Sequence, residues 1–469
     1  MIETLTKRSL PTFLLYFACV LLIGVLAGAL VAKASIFEDD LDLYVAIGVV
    51  LVAFSGLAIL LEWRLGVFLL GAALPFEGIL APGFSASGIK ALALVTFSSL
   101  GLKLLLDRSL YAKFWQLLQQ PLVLALLAFV CWCTVSISWA TNQDAALVKT
   151  STFLGSFGLA MTIGLLKERE LYVLWATVAS SMLLSIPLGY MLSEPESVAA
   201  SGRFSSGGQD PNDYAGFLVL VLFVTFYMLS KRLSVARYVL AIPTIFGVLA
   251  TESRTALLAL LATPLLLLWA PGASKRSMKG ILITYGLFGL VLAGTIYSVP
   301  AVGERILDRY ATLSQYQSED TWAGRWELWE AAVRMLFSDP LRLFLGVGVG
   351  NFPDVAATYS SLAAFMNSQR EGAAVAHNIF LSVASELGLV GLALFSSVLF
   401  LAFRQAWALA GRGSAAGVGL LFGLTTYMVM GLTLSWEAEK IGYVLFGSIL
   451  ALSLPRTTPN TIPKPEGRG

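Results

Sequence analysis

PLVLALLAFVCWCTVSISWA, residues 121–140, contains no charged side chain. A run of about 20 apolar residues is long enough for one helix to cross the hydrocarbon core of a bilayer. Inside that core the backbone must satisfy its own hydrogen bonds, so only helices or a closed barrel can span it. Because apolar residues follow one another without alternating with polar ones, the stretch predicts a transmembrane helix.

Similar runs recur along the whole chain. Of the 469 residues, 57% are hydrophobic and only 13% are charged, and the mean hydropathy is +0.79. These values lie far from those of ordinary soluble domains and predict an all-α polytopic integral membrane protein with about 12–14 transmembrane helices. The candidate spans are residues 12–33, 43–61, 65–81, 89–106, 121–140, 146–166, 170–192, 214–230, 236–252, 255–270, 280–298, 377–403, 414–435 and 440–453.

Lysine and arginine predict the orientation of these spans. When alternate loops are counted from the basic start TKRSL, most of the 31 lysines and arginines fall on the side of the N-terminus. Positive residues are enriched in cytoplasmic loops, so both termini are expected in the cytoplasm. The opposite short loops and adjoining helix ends hold only Lys33, Lys90, Lys149, Arg203, Arg254 and Lys440.

The spans divide the chain into four parts. Residues 1–298 are expected to form about 11 transmembrane helices, and residues 377–453 about three more. The first apolar run lacks a small-residue cleavage site, so we expect it to remain as a span. Residues 299–376 form a large periplasmic loop between the fourth- and third-from-last spans, and residues 454–469 form a cytoplasmic tail.

Neither the charge nor the cysteines indicate another class of protein. The net charge of +2 gives no sign of a nucleic-acid partner. Cys19, Cys131 and Cys133 lie in apolar spans, where small buried hydrophobes are expected and no disulfide framework is implied. The acidic stretch FEDDLD, residues 37–42, is expected to be a solvated loop, so that neither a metal site nor a cofactor is predicted.

Four polar stretches near the outer face carry the candidate chemistry, because charges beside spans are costly and often functional. The first is SGRFSSGGQDPNDYAGF, residues 201–217. It is rich in turn residues, and its backbone N–H groups together with Arg203 could cradle an anion. An ordinary loop explains the composition more simply, with Asn212 or Asp213 capping the next helix.

The second stretch is GVLATESRTALLALL, residues 247–261. The apolar run around Arg254 is too long for one helix across a bilayer, so the chain must turn near TESR. Arg254 would then point from a helix end toward the protein interior, where ionisable residues are functional candidates. The alternative is an ion pair between Arg254 and Glu252 that only holds the turn.

The third stretch is DTWAGRWELWEAAVRMLFSDP, residues 320–340, which predicts a helix that ends near Asp339. Arg325 on this helix is either a solvated cation or a site residue. The following LGVGVGNFPD, residues 345–354, matches a phosphate loop only in part, and a tight turn is expected. One apolar face, suited to the membrane interface, is formed at helical spacing by Trp322, Trp326, Trp329, Val333 and Leu336.

The fourth stretch is EGAAVAHNIFLSVASELGLVGL, residues 371–392, which contains the only histidine of the chain. His377 and Asn378 are expected to begin a helix that continues into the bilayer. The ordinary pKa of histidine lies nearest neutral pH, and this one is expected on the same face as the three arginines. A functional imidazole and an interfacial ring packed for stability both remain open.

In their order along the chain, these stretches resemble the O-antigen ligase and O-antigen polymerase superfamily. The resemblance is carried by GRFSSGGQDPNDYA, TESRTALL, GRWELWEAA with FLGVGVGNF, and AHNIFLSVASELGLVGL. Each motif is degenerate alone, but their joint order, with a long outer loop between the last two, is fairly specific. It covers roughly residues 200–400, while the N-terminal spans match in hydropathy only.

The resemblance implies a GT-C-like glycosyltransferase that acts at the periplasmic face of the bacterial inner membrane. The implied donor is a glycan linked to undecaprenyl diphosphate, whose prenyl tail would enter between the spans from the membrane lipids. For an O-antigen ligase, the implied acceptor is the lipid A–core oligosaccharide of lipopolysaccharide.

Each candidate residue has an expected role within this resemblance. Three arginines, Arg203, Arg254 and Arg325, would bind the diphosphate, because a guanidinium pairs bidentately with phosphate, stays charged and could replace a divalent metal. His377 would be the general base for a single displacement with inversion at the anomeric carbon. The supporting residues are Asn378, Asp210, Asn212 and Glu252.

Three other functions remain open. An O-antigen polymerase shares the motifs but adds glycan to glycan, and a protein O-oligosaccharyltransferase shares them but transfers to serine or threonine. Outside the enzymes, a secondary transporter would also have many spans and charges in the membrane. Transporters favour internal repeats and charges near the midplane, whereas this chain shows no clear repeat and its charges cluster near one face.

Overall fold

The computed structural model describes residues 55–76, 85–192, 204–205, 210–229, 236–269, 275–298, 303–304, 307–308, 320–360 and 375–454. Every regular element in these ranges is helical, so the predicted all-α class is confirmed. The predicted span 12–33, most of the span 43–61, Cys19 and Arg203 lie outside the described residues.

The described helices fall into three groups along the chain. The first group is α1 (Trp63–Ala73), α2 (Ser85–Leu106), α3 (Arg108–Leu118), α4 (Pro121–Ser136), α5 (Gln143–Gly164), α6 (Glu168–Leu192), α7 (Pro211–Met228), α8 (Ala236–Ala250), α9 (Arg254–Leu266) and α10 (Lys275–Ser298). The second group is α11 (Asp320–Leu336), α12 (Pro340–Leu345) and α13 (Phe352–Ala356). The third group is α14 (Ile379–Gly411), α15 (Ala415–Gly431) and α16 (Lys440–Ser453).

The predicted spans agree closely with the helices. Six helical segments are long and apolar enough to cross a membrane: they lie in α2, α4 with its terminal 3₁₀ turn, α5, α6, α7 and α14. Shorter apolar helices occupy six further predicted spans within the described residues, in α1, α8, α9, α10, α15 and α16. The chain is therefore an all-α polytopic membrane protein.

Helix α7 lies at the centre of the bundle. It packs against α6, α8, α9 and α15, and its side chains from Tyr214 to Phe226 are all buried. Around it, α16 packs on α5, and α14 packs on α4 and α15. Most of α7 is therefore enclosed by protein rather than lipid, while its first turn, residues 211–213, is half-buried at the end of the bundle.

The second group of helices packs on α14 through a small core of its own. Ala331, Ala332 and Met335 of α11 meet Phe352 and other apolar residues of α13, and both helices contact α14. The predicted end of α11 near Asp339 is wrong by a few residues. The helix ends at Leu336, and Asp339 instead accepts a hydrogen bond from the Leu341 backbone N–H (2.6 Å) to begin α12.

Helix α14 is broken at Gly388, which has a φ of 68°. There the chain passes so close to the start of the glycine-rich loop that a Cβ on Gly388 would lie 2.1 Å from the Phe344 carbonyl oxygen. In return, a Cβ on Gly346, whose φ is 72°, would lie 2.2 Å from the Glu386 carbonyl oxygen. Only glycine fits at these two positions, because each combines a left-handed backbone with close contact to another backbone.

Candidate functional site

The motif-bearing stretches meet at one end of the bundle, which we call the site end. Ser253, the N-cap of α9, donates a hydrogen bond from Oγ to Oδ1 of Asn212 at the start of α7 (2.9 Å). The predicted turn near TESR is therefore confirmed. It places Arg254 at the first position of α9, beside the polar segment that precedes α7.

The first turn of α7 begins differently from the prediction. Neither Asn212 nor Asp213 is the cap: Asp210 caps the helix and accepts from the N–H groups of Asn212 (2.7 Å) and Asp213 (3.4 Å). Pro211 occupies the first helical position, which needs no N–H donor. Since capping falls to Asp210, the Asp213 carboxylate turns inward and accepts from Nε1 of Trp436 (2.8 Å).

The start of α14 brings His377 to the same end. Asn378 is the N-cap and accepts from the N–H groups of Phe380 and Leu381 (2.9 and 3.0 Å). Its Nδ2 donates to the Leu432 carbonyl in the loop between α15 and α16 (3.0 Å). The predicted helix start is confirmed, and the loop 432–439 is added to the site.

Charges of opposite sign act on His377. Burial and, to a smaller extent, the Arg325 guanidinium lower the pKa of its imidazole to about 4, while the Asp210 carboxylate opposes this lowering. The imidazole is therefore neutral at neutral pH and can accept a proton. Because both Arg325 and Asp210 act on it, the structure brings together candidates from three of the four predicted stretches.

Two site residues have a left-handed backbone. Among the described residues other than glycine, only Glu252 (φ 54°) and His377 (φ 48°) have a positive φ. Such residues cluster at sites where the surrounding structure holds them in place. The backbone conformation therefore marks two residues that the sequence analysis selected on other grounds.

The placement of the arginines is partly determined. Arg325 on α11 acts on the charges of both His377 and Asp213, so α11 reaches the site end. Arg203 lies outside the described residues. The next residue, Phe204, donates its backbone N–H to the Ala250 carbonyl at the end of α8 (3.3 Å), close in sequence to Glu252.

A cavity of about 250 Å³ opens at the site end. Trp436 and three carboxylic acids form part of its wall, together with one lysine and three apolar side chains. Among its residues that were not candidates from the sequence are Trp436 and Glu439 of the loop 432–439, and Leu74 in the 3₁₀ turn that follows α1. The lining residues are Leu74, Asp210, Asp213, Phe217, Trp436, Glu439, Lys440 and Ile441.

Three charged side chains form a buried ion cluster between α5, α14 and the loop 432–439. Lys149 of α5 donates from Nζ to Glu386 Oε2 (2.8 Å) and to Glu437 Oε1 (3.0 Å). The side chain of Glu437 also accepts from Oγ of Ser382 (2.6 Å) on α14. From the sequence, Lys149 was only a topology signal and neither glutamate was a site candidate, although each charge interrupts an apolar run.

Backbone N–H groups of the glycine-rich loop 345–354 donate hydrogen bonds to acceptors in α14 and α4. Val347 and Gly348 donate to the carbonyls of Ser385 and Glu386 (3.1 and 2.9 Å), and Gly350 donates to Glu386 Oε2 (2.8 Å). Val349 donates to Oγ of a serine at the end of α4 (3.1 Å). The predicted tight turn is confirmed, and the loop is a support for the kink of α14.

Part of the tryptophan face of α11 is exposed. Trp326 is 68% exposed and Val333 is 42% exposed, while Ala331 and Met335 on the opposite side are buried. An exposed apolar face with tryptophan suits contact with the membrane interface, as the sequence predicts. Leu336, which was assigned to that face, is buried instead.

The cysteines match the prediction only in part. Cys133 is buried, but Cys131 is on the surface of the bundle and not in its interior. Both are free thiols. Within the described ranges, no group of three or more His, Cys, Asp or Glu side chains could hold a metal ion.

These features define a class: a polytopic membrane protein whose one histidine is half-buried at one end of the bundle, where the charges of Arg325 and Asp210 act on it. Residues 238–396 match the family model described as O-antigen ligase. The resemblance of the motifs to the O-antigen ligase superfamily is thereby confirmed, and the matched segment runs from α8 into α14.

A curated protein of Pseudomonas aeruginosa named O-antigen ligase is also similar to this chain. The two are 26% identical over 296 residues, which are 61% of this chain. The chain thus spans 65% of the length of that relative.

Proposed function

We propose that this protein is a glycosyltransferase of the O-antigen ligase type. It transfers O-antigen polysaccharide from undecaprenyl diphosphate to lipid A–core oligosaccharide at the periplasmic face of the inner membrane, in lipopolysaccharide biosynthesis. The observation that carries the proposal is the placement of His377, a neutral base next to the capped start of α14, where the charges of Arg325 and Asp210 act on it. The superfamily match supplies the class of reaction.

The donor binds through its diphosphate. A polyprenyl diphosphate leaves easily only when its negative charge is neutralised, and arginine does this with a planar pair of N–H donors. Arg254 and Arg325 supply that charge at the site end, and Arg203, which lies outside the described residues, is the third candidate from the sequence. The prenyl tail lies between the helices, in contact with the membrane lipids.

The reaction is one displacement at the anomeric carbon. The acceptor oxygen forms a bond to that carbon while the bond from the carbon to the phosphate oxygen breaks, and the configuration inverts. His377 takes the proton from the acceptor hydroxyl. The electron pair of the broken bond stays on the diphosphate, which the arginines hold until it leaves.

Donor binding strengthens the base. In the free protein the Arg325 guanidinium helps to hold the pKa of His377 down at about 4. A bound diphosphate offsets the field of Arg325, so the imidazole becomes more basic when the donor is in place. His377 is therefore kept unprotonated before binding and gains proton affinity when it is needed.

The test is transfer by the purified protein. The protein in lipid vesicles would be mixed with a glycan linked to undecaprenyl diphosphate and with lipid A–core, and the product followed by gel mobility. We expect transfer to continue in excess chelator, because the arginines neutralise the leaving group. Loss of activity in chelator, with rescue by magnesium or manganese, would contradict the metal-independent mechanism.

A strain without the gene separates ligase from polymerase. We expect loss of all long-chain lipopolysaccharide together with accumulation of lipid-linked polysaccharide. Core that carries a single repeat unit would instead identify a polymerase, and unchanged lipopolysaccharide with unglycosylated proteins would identify a protein O-oligosaccharyltransferase.

A further inference from the structure

The cavity of about 250 Å³ at the site end lies close to the start of α14, which carries His377. Trp436 and Glu439 of the loop 432–439 line it together with Asp210 and Asp213. The Leu432 carbonyl of the same loop accepts a hydrogen bond from Asn378, the neighbour of His377 (3.0 Å). A ligand in the cavity would therefore lie near the candidate base.

The charges on the described wall of the cavity disfavour a diphosphate. Among the described lining residues, three carry carboxyl groups, Asp210, Asp213 and Glu439, and one carries an ammonium group, Lys440. In a partly buried site, where the effective dielectric constant is well below that of water, excess negative charge repels a phosphate anion strongly. The same wall suits hydroxyl groups, because a carboxylate accepts hydrogen bonds and donates none.

Each of the two aspartates keeps one oxygen for a ligand. Asp210 uses Oδ1 to cap α7, and Asp213 uses Oδ1 to accept from Trp436. In the described part of the chain, no hydrogen bond reaches Oδ2 of either residue. Both carboxylates are thus fixed in position by one oxygen, which is the arrangement that binds a ligand with little loss of side-chain freedom.

We propose that this cavity binds a hydroxyl-bearing sugar ring of the acceptor, while the donor diphosphate binds to the site arginines outside the cavity. The inference rests on the proposed transferase function and assigns its second substrate to a place. Phe217 and Ile441 form an apolar wall that suits the C–H face of a sugar ring. The cavity is smaller than the range of about 300–1,000 Å³ for pockets that hold drug-sized ligands, so it admits one ring and not a chain.

The orientation of the acceptor follows from this placement. A sugar ring held by Asp210 and Asp213 presents a hydroxyl toward His377, because the loop 432–439 both lines the cavity and contacts Asn378, next to His377. The proton then moves from the acceptor hydroxyl to His377, and the oxygen attacks the anomeric carbon of the donor. The two aspartates are binding residues and take no proton.

The test separates the Michaelis constants of the two substrates. The variants are Asp213→Asn and Asp210→Asn: each keeps an Oδ1 acceptor, and asparagine is as good an N-cap as aspartate. We expect each to raise KM for lipid A–core about tenfold or more, since a hydrogen bond to a charged group is lost. KM for the lipid-linked donor should stay within about twofold of wild type. Glu330→Gln, on an exposed residue of α11 that pairs with Arg334, serves as the control and should change neither constant.

A competition experiment provides a second readout. Deacylated core oligosaccharide should inhibit the wild-type protein and inhibit both asparagine variants more weakly, whereas inorganic diphosphate should inhibit all three equally. A raised donor KM with an unchanged acceptor KM, or weaker inhibition by diphosphate alone, would overturn the assignment of the cavity. Failure of the wild-type protein to transfer glycan at all would instead refute the proposed function.

Discussion

At the scale of single residues, His377 shows what sequence can and cannot reveal. The sequence shows that it is the only histidine and that it precedes an apolar run. The structure adds a left-handed backbone and two charges that act on the imidazole from distant stretches of the sequence, those of Arg325 and Asp210. Motif order suggests these partners, but residue spacing does not predict them, because local propensity carries no information on tertiary contacts.

His377→Gln should lose transfer but keep donor binding. Glutamine can hydrogen-bond to the acceptor hydroxyl but cannot take its proton, so the rate should fall about 10²–10⁴-fold. His377→Ala should be similarly defective. The measurements are the initial rate of glycan transfer and the Kd of the donor, at matched protein levels. A well-expressed glutamine variant with the wild-type rate would remove His377 from the mechanism.

The pH profile provides an independent check on the same residue. The acid limb of kcat/KM reports the free protein, so it should lie near pH 4 and not near 6.5. Replacing Arg325 by Gln should move that limb to higher pH, because the cation no longer opposes protonation. The free energy of unfolding depends on pH in the same direction. The pKa of His377 is lower in the folded protein than in the unfolded chain, so the contribution of the neutral imidazole to stability is lost as the pH falls from about 6.5 to about 4. An acid limb that does not move in the Arg325 variant would contradict the effect of the Arg325 charge on the pKa of His377.

The arginines should not tolerate lysine. Arg254→Lys and Arg325→Lys keep the charge but lose the planar fork that pairs with a diphosphate. We expect donor affinity to fall about tenfold or more, with reduced turnover. Arg334→Lys is the matched control, because Arg334 lies on α11 in an exposed pair with Glu330. Normal donor affinity in Ala variants of both site arginines would refute their role.

At the scale of elements, the kink of α14 is the main feature that the sequence did not predict. ELGLVGL, residues 386–392, is apolar and continuous with the helix before it, so hydropathy predicts one straight span. The break at Gly388 depends on the docking of Gly346 and the glycine-rich loop, more than 30 residues earlier in the chain. The hydropathy of a helix predicts its presence, whereas its bends depend on what packs against it.

Gly388→Ala should destabilise the protein. Alanine in this left-handed conformation costs about 1–3 kcal/mol, and its Cβ would overlap the Phe344 carbonyl. The control is Gly155→Ala in α5, where a Cβ meets nothing within 4 Å and helix propensity predicts a gain of up to about 1 kcal/mol. Thermal unfolding in detergent measures both. Equal Tm values for Gly388→Ala and wild type would show that the kink is not required.

The buried ion cluster should be sensitive to the loss of one partner. Lys149→Met leaves two glutamates with no cation between them, and breaking a buried ion pair costs about 3–5 kcal/mol. The triple variant with Glu386→Gln and Glu437→Gln removes the uncompensated charges as well, so it should recover part of the lost stability. Tm values of the two variants test this. A triple variant less stable than Lys149→Met would show that the charges are not what the lysine balances.

At the scale of the whole molecule, the alternation of loops is the part that sequence predicted best. Residues assigned to the outer side contact one another, as Asn212 contacts Ser253 and Asn378 contacts Leu432. Residues assigned to the opposite side do the same: Arg64 pairs with Glu170 (3.0 Å), and Lys113 donates to the Leu165 carbonyl (2.8 Å). Hydropathy sets these positions because the bilayer imposes a fixed length on every span. The sequence does not mark the loop 432–439 as part of the site, because its role depends on tertiary contacts.

Contacts within the bundle show which loops lie at the same end. They do not show which end faces the periplasm, and the distribution of Lys and Arg predicts that orientation. Cytoplasmic loops are enriched in Lys and Arg, so residues 299–376 and the site end should be periplasmic and both termini cytoplasmic. The test is the labelling of single cysteines by a membrane-impermeant thiol reagent, in a background where the three native cysteines are replaced. Glu330→Cys, at an exposed position on α11, should react in cells with only the outer membrane opened. Arg108→Cys, on an exposed residue at the start of α3, is the matched control and should react only after the inner membrane is disrupted. The reverse pattern would invert the topology and place the site end in the cytoplasm, where a periplasmic lipopolysaccharide acceptor could not reach it.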